Sequence, residues 1–308
     1  MLAELIDLPR WDDTRSAGQA CSSSSRRDQV RSFHSLLISR LVATMSYRFD
    51  GKVGLITGAA SGIGRATAQK MAQLGAKLAL SDINGEGLAE TNSLCGGGHV
   101  HEKVDVGSSQ ACNDFVAAVV SRLGQLDFVF NCAGVNPTAY PLTETTDAYY
   151  DKLMNTNLRG TYNITRAAMP HLRSGSAIVN VSSIMGVTAA ANYAIYCATK
   201  FAIVGFTKAM AMELGPAQIR VNAVAPGYID TPTNAGVVAG PDAVAEQEKR
   251  IPMGRMGTAA EVADVVAFLF RYVMAAAGDV SLVLTAASSD ESRYMSGSII
   301  EITGGRPT

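Results

Sequence analysis

Tryptophan occurs once in the 308-residue chain and histidine four times, and none of the five cysteines (Cys21, Cys95, Cys112, Cys132, Cys197) shares a CxxC spacing with another. So thin a set of nitrogen and sulfur ligands shows no metal-binding pattern, and no metal is expected. An odd number of scattered thiols without a secretory signal is the usage of an intracellular protein with reduced cysteines, and a cytoplasmic location is the expectation. Net charge is close to zero, at −1. That removes the electrostatic reason to expect nucleic acid or an anionic membrane as a partner. Long apolar runs are also lacking: none reaches the ~18 residues of a membrane-spanning helix. What is present is a globular composition, 47% hydrophobic and 17% charged, with 29 glycines.

Residues 1–45 differ from the rest, with the stretch CSSSSRR, six arginines, no lysine and five acidic residues. Residues 14–44 have the Arg- and Ser-rich, acid-poor character of a mitochondrial presequence, but the acidic start does not. A disordered extension is therefore placed ahead of targeting. A third reading makes Met45, in MSYRFDGKVGLITG, the initiator. Residues 46–308 read as one domain.

From residue 52 the chain alternates between short apolar runs and helical patterns. The runs are KVGLIT (52–57), KLALSD (77–82), HVHEKVDV (99–106), LDFVFN (126–131), SAIVNVSS (176–183), IRVNAVAP (219–226) and SGSIIEI (296–302). Helical stretches fall near 62–76, 108–123, 143–172, 192–214 and 259–272. Strands that are continuously apolar, separated by helices, imply a parallel sheet covered on both faces. The expected fold is α/β: a Rossmann-type, right-handed doubly wound parallel sheet of about seven strands.

The first strand runs into TGAASGIG, with Gly58, Gly62 and Gly64. Glycines let the backbone turn sharply and approach a pyrophosphate, and the helix that follows offers free N–H groups and a positive dipole end. Taken alone, such a loop is weak evidence, because tight strand-to-helix turns use glycine anyway. Asp82 strengthens it: it ends the second strand ~20 residues on, where a carboxylate can accept hydrogen bonds from an adenosine ribose.

The Gly-x-x-x-Gly-x-Gly spacing resembles that of the short-chain dehydrogenase/reductase family, and further residues carry the likeness in family order. They are Asp105-Val106 at the end of the third strand, NCAG (131–134, with Cys132 where the family has Asn), Asn157 in NTNLRG and Ser183 in VNVSS. Tyr196 with Lys200 and PGYIDT (226–231) complete the set. The resemblance spans roughly residues 50–304. It implies a cofactor cradle of Gly58, Ser61, Gly62, Ile63 and Gly64, with Asp82 at the ribose and Asp105 and Val106 near adenine. It further implies that Asn131, Ala133 and Gly134 bind cofactor, as do Pro226, Gly227, Ile229 and Thr231, the last steadying the nicotinamide carboxamide. Ser183 would polarise the substrate oxygen and Asn157 anchor a water relaying protons to Lys200, while Ser182 reads as structural.

Tyr196 and Lys200 lie four apart on a predicted helix, so their side chains share a face; Tyr193 is two turns from Lys200, roughly 10 Å along the axis. A free tyrosine titrates near 10, too high for ready exchange at neutral pH, and a nearby ammonium is expected to lower it. The family's roles then make Tyr196 the proton donor or acceptor, with Lys200 also binding the nicotinamide ribose. Oxidation of a secondary alcohol or reduction of a ketone is the expected reaction, with a neutral hydrophobic or cyclic carbonyl substrate. The alternative is a catalytically idle dinucleotide-binding sensor or scaffold, but Tyr, Lys and Ser are all retained. The resemblance also separates the chain from sugar-nucleotide epimerases, with Gly-x-x-Gly-x-x-Gly, and from enoyl reductases, with Tyr and Lys six apart.

NAD is preferred to NADP, because Asp82 would repel a 2′-phosphate and neither Ile83 nor Asn84 supplies a cation. Small residues on the helix near 192–214 (Ala198, Ala202, Gly205, Ala209) and the family habit imply a homodimer or homotetramer. Residues 270–286 have no counterpart in the family pattern. They read either as an insertion that extends the preceding helix and forms a surface hairpin or as translated intron sequence, and contribute no catalytic residue.

Overall fold

The computed structural model describes residues 48–136, 138–235, 240–271 and 292–306. Residues 1–45 and most of 270–286, about which the sequence raises its own questions, lie outside them. Residues Tyr47–Thr308 make one compact unit.

Seven parallel strands form its sheet, in the order β3-β2-β1-β4-β5-β6-β9. They are β1 (Val53–Thr57), β2 (Lys77–Asp82), β3 (Val100–Lys103), β4 (Phe128–Asn131), β5 (Ala177–Val181), β6 (Arg220–Pro226) and β9 (Ile299–Ile302). A short pair, β7 (Ile229–Asp230) and β8 (Gly257–Thr258), stands apart. Every residue of β1, β4 and β6 is buried, which is why these runs are continuously apolar instead of alternating. Strand order reverses between β1 and β4, and their carboxyl ends open a crevice there.

Helices α1 (Gly62–Gln73) and α9 (Ala259–Phe270) cover one face, where Ala68, Met71, Val262 and Val266 meet Ile56, Leu80 and Phe130. On the other face, α3 (Ser109–Leu123), α5 (Gly160–Ala168) and α6 (Ala194–Leu214) bring Phe115, Ile164 and Met210 onto Leu55 and Val129. Between them in the chain lie α2 (Gly85–Leu94) and α4 (Asp147–Leu153); α7 (Pro232–Ala235) and α8 (Pro241–Glu248) follow β7. Polar caps start the helices where the sequence places them: Ser108 for α3, Thr146 for α4, and a Thr258–Glu261 capping box for α9.

Two expectations need revision. The third strand stops at Lys103, so Asp105 and Val106 lie in the loop beyond it. β3 is an edge strand with three of its four residues exposed, and its pairing with β2 ends at Asp82–Lys103. The single helix expected over 143–172 is α4, then a π-helical turn at Met154–Arg159, then α5 and a 3₁₀ turn. The helix expected near 259–272 is α9, which ends at Phe270. The Phe270 ring packs 4.6 Å from that of Phe128.

Candidate active site

The turn from β1 into α1 is shaped by its glycines. Gly58 has φ +66°, and a Cβ there would lie 2.8 Å from the Ala133 backbone nitrogen, so the loop rests directly on the end of β4. Gly64 has still less room, because a Cβ would fall 2.0 Å from the Gly58 carbonyl oxygen. Gly62, at φ +52°, faces the crevice. Ser61 caps α1 without a side-chain bond, leaving first-turn N–H groups directed at the space in front. At the end of β2 the Asp82 carboxylate accepts from the Ala60 N–H (3.0 Å) and the Asn84 N–H (2.9 Å), which holds it beside that loop. A glycine cradle, a helix N-terminus and a fixed carboxylate suit a dinucleotide's pyrophosphate and adenosine ribose.

These groups line a cavity of about 430 Å³ at the carboxyl ends of the strands. Its floor continues through Asp105, Val106, Ala133, Gly134, Pro226, Gly227, Ile229 and Thr231, and it ends at Ser183, Tyr196 and Lys200. Ser183 follows β5, and its hydroxyl accepts from the Met185 N–H (3.1 Å). Tyr196 and Lys200 lie in the first two turns of α6, both buried, with the Lys200 Nζ 5.6 Å from the centre of the Tyr196 ring. The ammonium donates to the Val181 carbonyl (3.0 Å).

Electrostatics at this end differ from the expectation. Burial pushes the Tyr196 phenol up to about 12, opposed by a hydrogen bond with Ser183, and pushes Lys200 down to about 8. Desolvation disfavours the charged form of each group and outweighs the lowering of the tyrosine expected from the neighbouring ammonium. Burial also raises Cys132 to about 12, so its thiol, which lines the cavity, is not primed as a nucleophile.

Two residues named from the sequence do not reach the cavity wall. Asn131 is buried beneath it, donating to Thr165 Oγ1 (3.0 Å) and Asn180 Oδ1 (2.8 Å). Asn180 in turn donates to Thr207 (3.0 Å), so Asn131 ties two strands to two helices. Asn157 lies in the π-helical turn. Its Oδ1 accepts from the Val135 N–H (2.8 Å), and its Nδ2 donates to the Val135 carbonyl (3.2 Å) and Thr199 Oγ1 (3.4 Å). Its side chain staples the loop after β4 to α6. Ser182 is structural, as expected, donating to the Lys200 carbonyl (2.9 Å).

Sequence reasoning missed Tyr193 and Tyr228, which both line the cavity. Each sits inside a motif already singled out, one turn before Tyr196 and within PGYIDT, so their aromatic character was the available signal.

Comparison with known proteins agrees with this geometry. A family model described as "Enoyl-(Acyl carrier protein) reductase" matches residues 58–276. The chain is 38% identical to the 3-oxoacyl-[acyl-carrier-protein] reductase FabG of Thermotoga maritima over 271 residues, 84% of this chain and 98% of that one. The crystal structure of a 3-ketoacyl-(acyl-carrier-protein) reductase from Brucella melitensis complexed with NADH superposes with a TM-score of 0.73, at 29% identity, covering 84% of this chain and 99% of that one. A short chain dehydrogenase from Burkholderia cenocepacia in complex with NADP gives 0.72 at 30% identity, with the same coverage. The fold and the site together define a nicotinamide-dependent oxidoreductase of the doubly wound class. The chain belongs to the short-chain dehydrogenase/reductase family.

Proposed function

We propose that the protein interconverts a secondary alcohol and a ketone with NAD, and that Ser183, Tyr196 and Lys200 perform the proton chemistry. The observation that carries this reading is the convergence of the three side chains on the cavity, where Ser183 opposes the rise that burial imposes on the Tyr196 phenol. When bound, the nicotinamide supplies the chemistry of hydride donation or acceptance at the carbinol carbon. Ser183 donates to the substrate oxygen and holds it against the Tyr196 hydroxyl. In reduction Tyr196 gives its proton to the developing alkoxide; in oxidation the phenolate takes the hydroxyl proton. The Lys200 ammonium stabilises the phenolate that burial would otherwise disfavour. Asn157 acts indirectly, by holding the loop after β4 against α6.

The family model's description names an enoyl reductase. Here Tyr and Lys are four apart and Ser183 supplies a donor for a carbonyl oxygen, which supports the alcohol/ketone reaction over reduction of a carbon–carbon double bond. Val135, Ile184, Met185, Tyr193 and Tyr228 line the substrate end, in keeping with a neutral hydrophobic or cyclic substrate.

Asp82 supports NAD over NADP. Its carboxylate sits where a ribose hydroxyl can be accepted and a 2′-phosphate repelled. The nearest arginine, Arg65, is committed elsewhere: its guanidinium bonds Glu90 Oε2 (2.6 Å) and its Nε bonds Thr91 (3.0 Å). Like charges a few ångströms apart at an effective dielectric near 20 cost several kcal/mol. The test is kcat/KM for a panel of secondary alcohols with each cofactor, followed by reduced-nicotinamide absorbance. NAD is expected to be preferred, with Asp82→Ala plus Ile83→Arg shifting preference to NADP; a wild-type preference for NADP would refute this reading of Asp82.

A further inference from the structure

Two tyrosines outside the catalytic set stand at the substrate end of the cavity. Tyr193 caps α6 one turn before Tyr196, and Tyr228 lies in the turn between β6 and β7. Both are half-buried and line the cavity. Burial raises the pKa of Tyr193, and Tyr228 adds to that rise, so Tyr193 stays neutral. The Arg306 guanidinium stacks on the Tyr228 ring, 5.0 Å from its centre, and braces it.

Among the described residues, neither phenol hydroxyl is hydrogen-bonded to a protein group. Three of the other polar side chains in this part of the structure are already engaged. Tyr149 gives its hydroxyl to the Thr138 carbonyl (3.1 Å). The Asn136 amide donates to Asn234, whose own amide donates to the Ile229 carbonyl (2.7 Å). A half-buried hydroxyl that no described residue bonds is open to a hydrogen bond with a ligand oxygen. In the reading above, the reacting oxygen is served by Ser183 and Tyr196, so Tyr193 and Tyr228 remain for another one.

Resting on that reading, we propose that Tyr193 and Tyr228 are specificity-determining residues that bind a second, neutral oxygen of the substrate. The substrate class is an oxygenated cyclic ketone, a hydroxyketone or diketone, or the diol to which it is reduced. The aromatic faces pack the ring and the phenols, which both donate and accept, hold a hydroxyl or a keto group equally well. A site built to bond an oxygen discriminates strongly against the analogue that lacks it.

The test compares cyclohexanone and 1-decalone with their hydroxy-, keto- and carboxy-substituted derivatives, using NADH and NADPH. The full chain is assayed beside Tyr193→Phe, Tyr228→Phe and the double variant, which keep the rings and remove only the hydroxyls. At least one hydroxy or keto derivative should exceed its parent in kcat/KM by about tenfold or more. Each Phe substitution should lower that value by roughly fivefold to twentyfold, while the parent ketone and the cofactor KM stay nearly unchanged. Equal activity on parent and derivative, equal loss on both in the variants, or preference for a carboxylated ketone overturns the assignment. Turnover without discrimination refutes this inference alone, whereas turnover of no ketone at all refutes the proposed reaction with it.

Discussion

Tyr196 and Lys200 are each pushed by burial toward the neutral form, one up to about 12 and the other down to about 8. In the proposed mechanism the tyrosine therefore rests as the proton donor, and the ammonium and Ser183 stabilise its phenolate. Tyr196→Phe deletes the acid alone and should lower kcat by about two to four orders of magnitude. Cofactor binding, followed by the fluorescence of added NADH, should persist; near-normal turnover would exclude Tyr196 as the proton donor. Lys200 makes a second, less obvious case. A fall from 10.5 to about 8 means the folded state penalises its charge by about 3 kcal/mol. That penalty is complete below pH 8 and disappears above 10.5, because the unfolded chain binds the proton more tightly between those values. Lys200→Met is thus expected to abolish turnover yet raise the melting temperature at pH 7, with the gain shrinking as the pH rises from 8 to 10.5. A melting temperature lowered at pH 7 would show that the bond to the Val181 carbonyl outweighs the buried charge.

The atypical stretch after α9 is framed by a contact between its ends. The Ser292 hydroxyl donates to the Arg271 carbonyl (2.9 Å), and Arg220, at the start of β6, donates to the Leu269 (2.7 Å) and Arg271 (3.2 Å) carbonyls. Arg271 and Ser292 therefore meet at one point of the fold, on either side of residues 272–291. Replacing residues 272–291 with a two- or three-residue linker should give a folded, active protein within about 2 kcal/mol of the parent, since closure entropy changes slowly with loop length. Loss of soluble protein on deletion, with Phe270 retained, would make the segment integral. Phe270 also marks what the sequence could and could not disclose. The buried parallel strands, the glycine turn and the Tyr196–Lys200 pair were legible because period, spacing and residue type all act locally. The packing that holds the last residue of α9 was not, because Phe270 rests on the Phe128 and Phe130 rings contributed by β4. The π-helical turn was equally hidden: helical periodicity in DKLMNTNLRG carries no mark of it, and Asn157 is fixed there by partners on the β4 loop and α6. Asn131 was assigned to the cofactor through the likeness of NCAG to the family motif, and the bond that holds its side chain to Asn180 on the next strand is not visible in the sequence.

At the scale of the whole molecule, the second long helical region leaves an apolar strip uncovered. Ala198, Gly205 and Ala209 on α6 are exposed, and Phe201 and Met212 on the same helix are 44% and 82% accessible. Exposed apolar side chains flanking small ones suit close packing of helices from two subunits. A dimer or tetramer is expected by light scattering at micromolar concentration, with Phe201→Asp plus Met212→Asp shifting it toward monomer; a wild-type monomer would contradict this. One detail of the site extends to the same scale. The Ser182 hydroxyl holds the Lys200 carbonyl, and a Cβ on Gly186 would come within 2.7 Å of that same carbonyl oxygen, so the end of β5 is clamped onto α6. Ser183 therefore shares one rigid body with Tyr196 and Lys200, and that body is continuous with the central sheet. Catalytic competence has no softer joint along which to be lost first. On heating, activity should vanish at the temperature where the sheet melts, and the thermal inactivation curve should overlay the loss of circular dichroism; inactivation several degrees earlier would reveal a hinge between strand and helix.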